Sequence, residues 1–411
     1  MADSMPTQVD APGTRRILVL NADYPRFLAW FYRRQPGLAN ASYSVQMAAR
    51  NASLFGVADF YSRNFAALGH QAAEIHVNNP WLQAAWAREH GMAAEALEPP
   101  RSVERQNVPG WLQRMVTPFK PMLRPLARKV GLSPRLDARA EKILLAQIEE
   151  FRPDLIINQD IFYVDTGLMR RIKNIGSPIL IGQVGIEPSR GEDWSVYDLM
   201  ISQLPSTVRS FRSLGVRAEV NHLAFEPAVL DALPEASEVD IDVSFVGTVS
   251  VDHRQRIALL EAVARRYDLK LWGNRPQALP ASSPLHHCFQ GEVWGAEMYQ
   301  VLRRSRITLN SHIDMAGNEA GNMRLFEATG VGAFLLTDFK DNLGALFVPD
   351  REVAVWRSVD DCLKAIGRMI GDDDGRAAIA RAGQARTMAQ HTYRHRTAEI
   401  LSFVEGMRAP R

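Results

Sequence analysis

Twice along this 411-residue chain, short apolar runs alternate with helical stretches, and that alternation limits the fold more than any other feature. Ile17-Leu18-Val19-Leu20 ends in the polar turn 21–25, as a parallel strand buried on both faces does where it meets its loop. A helical stretch over 43–69, closed by the C-cap glycine Gly69, leads to a predicted strand at 74–77. A helix over 137–151 and the breaker Arg152-Pro153 precede predicted strands at 155–158, 178–182 and 198–202. A second series opens after the acidic, proline-bearing link 226–240. It has strands at 243–247, 269–273, 307–310 and 333–337, with helices at 254–267 and 297–305, and an almost wholly helical tail over 359–407. Such alternation calls for a mostly parallel α/β sheet, and two series call for two Rossmann-like domains facing across a cleft. The length points the same way, since 411 residues exceed one ordinary core.

Composition excludes several classes. Hydrophobic residues at 46% and charged residues at 23% are those of a soluble globular protein, and a net charge of +2 gives no global attraction to nucleic acid. Cys288 and Cys362 lack metal spacing and fit a reduced, cytoplasmic setting. No apolar run reaches the roughly 18–20 residues of a membrane span. The start, residues 1–15, lacks a signal-peptide core and reads as a disordered lead-in. The stretch 101–142 stands apart, with ten Lys or Arg against three acids, interleaved with Trp111, Phe119 and Leu126. Such a stretch can lie peripherally on the inner face of an anionic membrane; prolines at 109, 118, 121, 125 and 134 favour short helices covering the first domain instead.

The densest chemistry lies in Asn318–Asp338, read as a glycine-bearing loop, a short helix and a buried strand. A helix opening after Gly321 directs free N–H groups and the positive end of its dipole at an anion, with Asn322, Met323 and Arg324 in its first turn. Glu319 and Glu327 bracket that opening, and carboxylates suit vicinal hydroxyls. Anion grip beside hydroxyl grip is what a sugar nucleotide requires. Upstream, Gly247 ends a predicted strand, and Arg254 and Arg256 open the next helix, in reach of a departing diphosphate. Val293 and Trp294 either flank a nucleobase or, for Trp294, anchor the core. Asp372-Asp373-Asp374 reads as a turn with an N-cap, so no metal site is expected. On the first domain the strand-end loops offer Asn21, Asp23, Tyr24, the stretch 37–44, Asn158, Gln159, Asp160, Gln183 and Glu187 for an acceptor. Asp23, Asp160, Glu187 or His222 would serve as general base if configuration inverts. No Gly-x-Gly-x-x-Gly follows the first strand of either half, which disfavours an NAD enzyme.

On these residues the half from Val243 to about Leu401 resembles the nucleotide-sugar domain of GT-B glycosyltransferases of the group 1 type, and is similar to spore-maturation glycosyltransferase-like proteins. The carrying segments are SFVGTVSVDHRQR, LWGN at 271–274, GEVWGAEMYQVLRRSRITLNSH at 291–312 and GNMRLFEATGVGAFLLTD at 321–338. LFVPDREVAVWRSVDDCLKAI at 346–366 and QHTYRHR at 390–396 extend the resemblance, and the first half shares it loosely through 197–227. The resemblance implies that Glu327 holds ribose hydroxyls, Glu319 the donor sugar, Gly321, Asn322 and Arg324 the diphosphate, and Arg254 or Arg256 the leaving phosphate, with the base read at Val293. Ala-Gly-Asn replaces the usual Gly-Phe-Gly loop, which weakens the implied role of Glu319 and the retaining outcome. It further implies a first domain over 16–228, a second over 240–389, and a C-terminal helix over 390–411 crossing back onto the first. The expected activity is transfer of a hexose, with retention and without a metal or other cofactor, from a nucleoside diphosphate sugar to a glycan, lipid-linked or protein acceptor. A nucleotide-sugar epimerase and a non-catalytic nucleotide-sugar binder are the alternatives.

Overall fold

A computed structural model describes residues 13–92, 136–189, 192–235, 238–249, 253–274, 279–313 and 317–408. The first sheet contains β1 (Arg16–Asn21), β2 (Gln71–His76), β3 (Leu155–Asn158), β4 (Ile179–Gln183), β5 (Leu199–Ser202) and β6 (Ala218–Val220), in the order β2-β1-β3-β4-β5-β6. The second contains β7 (Ile241–Val246), β8 (Leu269–Trp272), β9 (Phe289–Gly291), β10 (Ser305–Leu309), β11 (Leu335–Asp338) and β12 (Ala354–Trp356), in the order β12-β11-β10-β7-β8-β9. Every strand pair is parallel. Helices cover both faces of each sheet, which is why Ile17, Leu18, Val19 and Leu20 are almost wholly buried although they are consecutive. In each sheet the order reverses beside the first strand, between β1 and β3 and between β7 and β10, and the loops after these strands flank a crevice.

Differences from the sequence-based expectation are local. The stretch 43–69 is two helices, Tyr43–Ala52 and Phe60–Ala67, separated by a turn where Leu54, Gly56 and Ala58 take positive φ. The edge strands β6 and β12, each three residues long, stand outside the expected strands. Gly69 does take the left-handed conformation (φ +88°) that ends the second helix, and Asp372 caps the helix Asp373–Gln390 through the Gly375 N–H. The basic stretch proposed for a membrane surface falls, up to residue 135, outside the described residues, as does most of the lead-in. No described helix is long and apolar enough to cross a membrane.

The chain crosses between the sheets twice at one place. The Phe225 N–H donates to the His391 carbonyl (2.9 Å), and the Tyr393 N–H to the Phe225 carbonyl (3.1 Å). From there the helix Tyr393–Arg408 packs on Phe60–Ala67 of the first domain, burying Tyr393, Ile400 and Val404 in one apolar cluster with Phe60, Tyr61 and Phe65. The C-terminal helix thus crosses back.

Two buried carboxylates in the first domain titrate in opposite directions. Burial alone would raise Asp23, but Arg50 (Nη2 at 2.6 Å) and His76 (Nδ1 at 3.3 Å) outweigh it and hold Asp23 far below the usual carboxylate range. Glu74 on β2 accepts from Asn21 Nδ2 (2.8 Å) and the Ser62 N–H (3.2 Å), and burial outweighs these and pushes it up to about 8. A raised carboxyl favours the folded state below its unfolded value and loses that contribution as pH climbs through the folded value. Glu74 should therefore lower unfolding free energy by roughly 3 kcal/mol between about pH 5 and pH 8, and Glu74→Gln should flatten that slope in urea titrations. An unchanged slope would refute it.

Candidate active site

A cavity of about 960 Å3 opens between the carboxyl ends of the two sheets and is lined from both domains. Its donor half forms at the second sheet's switch point. The Gly247 N–H donates to the Trp272 carbonyl (2.9 Å) and the Gly273 N–H to the Gly291 carbonyl (3.0 Å), so the turns after β7, β8 and β9 are laced together. A Cβ on Gly273 (φ +143°) would stand 2.1 Å from the Gly247 carbonyl oxygen, so this floor admits no side chain there. Beneath it the buried Arg256 donates to the Thr248 carbonyl (2.8 Å) and the Ser311 carbonyl (2.6 Å), tying the loop after β7 to the loop after β10.

The helix Met323–Gly330 enters this floor by its N-terminus. Asn322 caps it, its Oδ1 accepting from Leu325 N–H (3.3 Å), while its Nδ2 donates to Asn310 Oδ1 (2.8 Å). The Met323 and Arg324 N–H groups have no acceptor among the described residues and sit in the cavity wall. The Gly321 N–H is not free; it donates to His312 Nε2 (3.3 Å), whose Nδ1 is 2.7 Å from Asp338 Oδ1. Burial would raise Asp338, but His312 and Lys340 reverse the sign and keep it ionised, which holds His312 with its Nδ1 protonated and the loop in place. Glu327, four residues into the helix, is buried and ion-paired to Arg324 (2.8 Å). Burial raises its pKa and Arg324 only partly opposes that.

The sequence-predicted residues separate into two groups. Glu327, Asn322, Met323, Arg324, Gly247, Val293, Trp294, Arg256, Tyr24 and Asp160 all line the cavity. Glu319, Gly321, Arg254 and Asp23 do not. Arg254 is exposed on the outer face of its helix. The Asp23 carboxylate is consumed by Arg50 and His76, and its backbone N–H donates to Asn78 Oδ1. Glu319 reaches out of its own domain to the N-terminus of the helix Pro205–Ser213, accepting from the Ser206 N–H (3.0 Å), Ser206 Oγ (2.7 Å) and Arg209 Nη2 (3.3 Å). It acts as a helix cap across the cleft, not as a ligand to a donor sugar in this arrangement. Glu187 is exposed, and His222, driven down to about 4 by burial and Arg396, lies off the cavity.

Sequence reading missed Arg50, Phe55, Gln203, Asn310 and Ser311, which also line it. Asn310, Ser311 and Gln203 carried a signal, because each follows a strand; Arg50, inside the helix Tyr43–Ala52, and Phe55, in the turn after it, carried none. Trp294 lies at the seam between the two domains. It borders the cavity and packs edge-on against Phe55 (4.9 Å between centroids) and Phe27 (6.0 Å) of the first domain.

Two facing Rossmann-like sheets with a switch-point cavity between them and a returning C-terminal helix define the GT-B class of fold. Solved structures agree over nearly the whole length. Sucrose-phosphate synthase from Thermosynechococcus elongatus has a TM-score of 0.54 at 10% identity, covering 96% of this chain and 99% of that one. A glycosyltransferase from Rickettsia africae gives 0.57 at 9% identity, with 96% and 99% covered. Anabaena HepE in complex with UDP-glucose gives 0.54 at 13%, with 95% and 100% covered. No curated protein matches the sequence. Residues 254–402, which include Glu327 and the helix cap, match the family described as glycosyl transferase-like.

Proposed function

We propose that the cavity binds a nucleoside diphosphate sugar on its second-domain wall and transfers the sugar to an acceptor held by the first. One observation carries this reading: the uncapped N–H groups of Met323 and Arg324 and the Glu327 carboxylate face one cavity at the switch point. The amides and Arg324 take the diphosphate, Glu327 accepts from the ribose hydroxyls, and the base lies toward Val293 and Trp294. The HepE structure holds UDP-glucose in the same fold, which supports a donor of this class.

Transfer is proposed to retain configuration without a metal. In that chemistry the departing diphosphate takes the acceptor proton, and the charge on it is met by Arg324 and the helix dipole. Inversion has one observation in its favour. Asp160 lines the cavity, only its Oδ1 is taken (by the Phe162 and Tyr163 N–H groups), and burial raises its pKa, as suits a general base. Product anomer analysis by NMR separates the two. A reducing, cytoplasmic setting belongs to this reading, since Cys288 and Cys362 are free thiols.

A thermal-shift panel of UDP-, GDP-, CMP- and dTDP-sugars in the presence of EDTA tests the donor class. One of them should raise the melting temperature by a few degrees, about what 100-fold saturation supplies, and turnover should survive the chelator. No shift with any of them would remove the proposal, and loss of turnover in EDTA would remove its metal-independent part.

A further inference from the structure

We propose that the acceptor is an uncharged carbohydrate, held by a floor of carboxamides and the aromatic ring of Tyr24 on the first-domain side of the cavity. This rests on the donor reading above and adds the chemical class of the other substrate. The ends of four neighbouring strands of the first sheet each deliver a carboxamide to the cavity: Asn21 from β1, Gln159 after β3, Gln183 from β4 and Gln203 after β5. Two of them are joined to each other and a third is held from its own side. Gln159 Nε2 donates to Gln183 Oε1 (2.8 Å), Gln183 Nε2 donates to the Tyr61 hydroxyl (3.0 Å), and Asn21 Nδ2 is held by Glu74 (2.8 Å). The Gln203 carboxamide has no protein partner among the described residues, and Gly185 beside it leaves it room, since a Cβ there would stand 2.1 Å from Gln203 Nε2. Planar neutral groups that both donate and accept match the hydroxyls of a sugar, which do the same.

Above this floor stands Tyr24. It is 64% exposed, rare for so large a ring, yet it is fixed at its edges by Phe55 (5.6 Å) and Trp294 (6.3 Å) and borders the cavity. An exposed ring that borders the cavity and is packed by two neighbours suits the apolar face of a pyranose.

The charges on the described wall argue against an anionic acceptor. A phosphorylated sugar or a lipid diphosphate needs an uncommitted cation. Among the described residues, both cations on the first-domain wall are paired, Arg26 with Glu292 (2.7 Å) and Arg50 with Asp23 (2.6 Å). Among the described residues, the charge on that wall without an ionic partner is the carboxylate of Asp160, which repels an anion and can accept from a sugar hydroxyl.

The test follows release of the nucleoside diphosphate from whichever donor the thermal panel selects. Glucose, galactose, N-acetylglucosamine and their disaccharides are compared with glucose 6-phosphate and with a serine-rich peptide. A neutral sugar should accelerate release about tenfold over acceptor-free hydrolysis, while the phosphorylated sugar and the peptide should not. Gln183→Ala and Tyr24→Ala should each raise the acceptor KM about tenfold, with Tyr24→Phe restoring it, while the donor Kd by calorimetry stays put. Preference for the phosphorylated sugar or the peptide, no acceleration by any neutral sugar, or unchanged acceptor KM in both alanine variants overturns the proposal. If the donor binds while those results appear, only the acceptor class fails; if no donor binds, the donor reading has failed first.

Discussion

Replacing Glu327 with glutamine will weaken nucleoside diphosphate binding by roughly two to three powers of ten, because the carboxylate supplies two charge-assisted acceptors that the amide cannot match. Glutamine is the informative choice. Alanine would also strip Arg324 of its partner at 2.8 Å and leave a largely buried guanidinium unpaired, at a cost of about 3 kcal/mol in stability. The pH profile gives an independent check. Ribose hydroxyls donate to the ionised form, so affinity is present above the Glu327 pKa and lost as pH falls through it. Burial places that fall above the range of an exposed glutamate, even with Arg324 opposing. Calorimetric titration of wild type and Glu327→Gln across the acid range reads both effects. Equal affinities in the two proteins, or a wild-type affinity flat with pH, would detach Glu327 from the donor.

A single methyl group at residue 295 should separate the domains. Gly295 holds φ +52° and ψ −124°, a conformation a side chain does not tolerate, and an added Cβ would lie 1.8 Å from the Ser53 carbonyl oxygen of the facing domain. That same oxygen accepts from the Ala296 N–H (3.1 Å), so the clash falls on a hydrogen bond between the two halves of the cavity. Gly295→Ala is expected to lower kcat/KM by about 100-fold or more, since displacement of about 1 Å between donor and acceptor walls suffices for that. Donor affinity should stay within about threefold, because the diphosphate and ribose contacts all come from the second domain. Kinetics with small-angle scattering measure this, the variant showing the larger radius. Wild-type turnover together with an unchanged scattering curve would mean that closure at Ser53 does not align the substrates.

Much of the donor half was readable before any fold was known. The loop, cap and helix at 318–330 are local events: Asn322 caps because its side chain meets an N–H three residues on, and Glu327 follows on the same short helix. The strand-end positions of Asn21, Asp160 and Gln183 were readable for the same reason. Glu319 was misjudged because its partners, Ser206 and Arg209, lie more than 100 positions away and belong to the other domain. Asp23 looked like an available acid at a strand end, and only packing brought Arg50 and His76 against it. Arg254 and Arg256, two residues apart on a helix, point to different sides; the fold sends one to solvent and the other beneath the switch point.

The order of strands and helices, the presence of two parallel sheets and the anion-ready helix opening follow from the sequence by itself. Each is set by burial periodicity or by hydrogen bonds spanning a few residues, and such signals survive in a linear chain. Tertiary structure alone decided which charges remain free and how the two walls meet. Those outcomes depend on pairs such as Gly295 with Ser53, Glu319 with Ser206 and Gln159 with Gln183, whose members come together only when separate elements pack and solvent is removed between them.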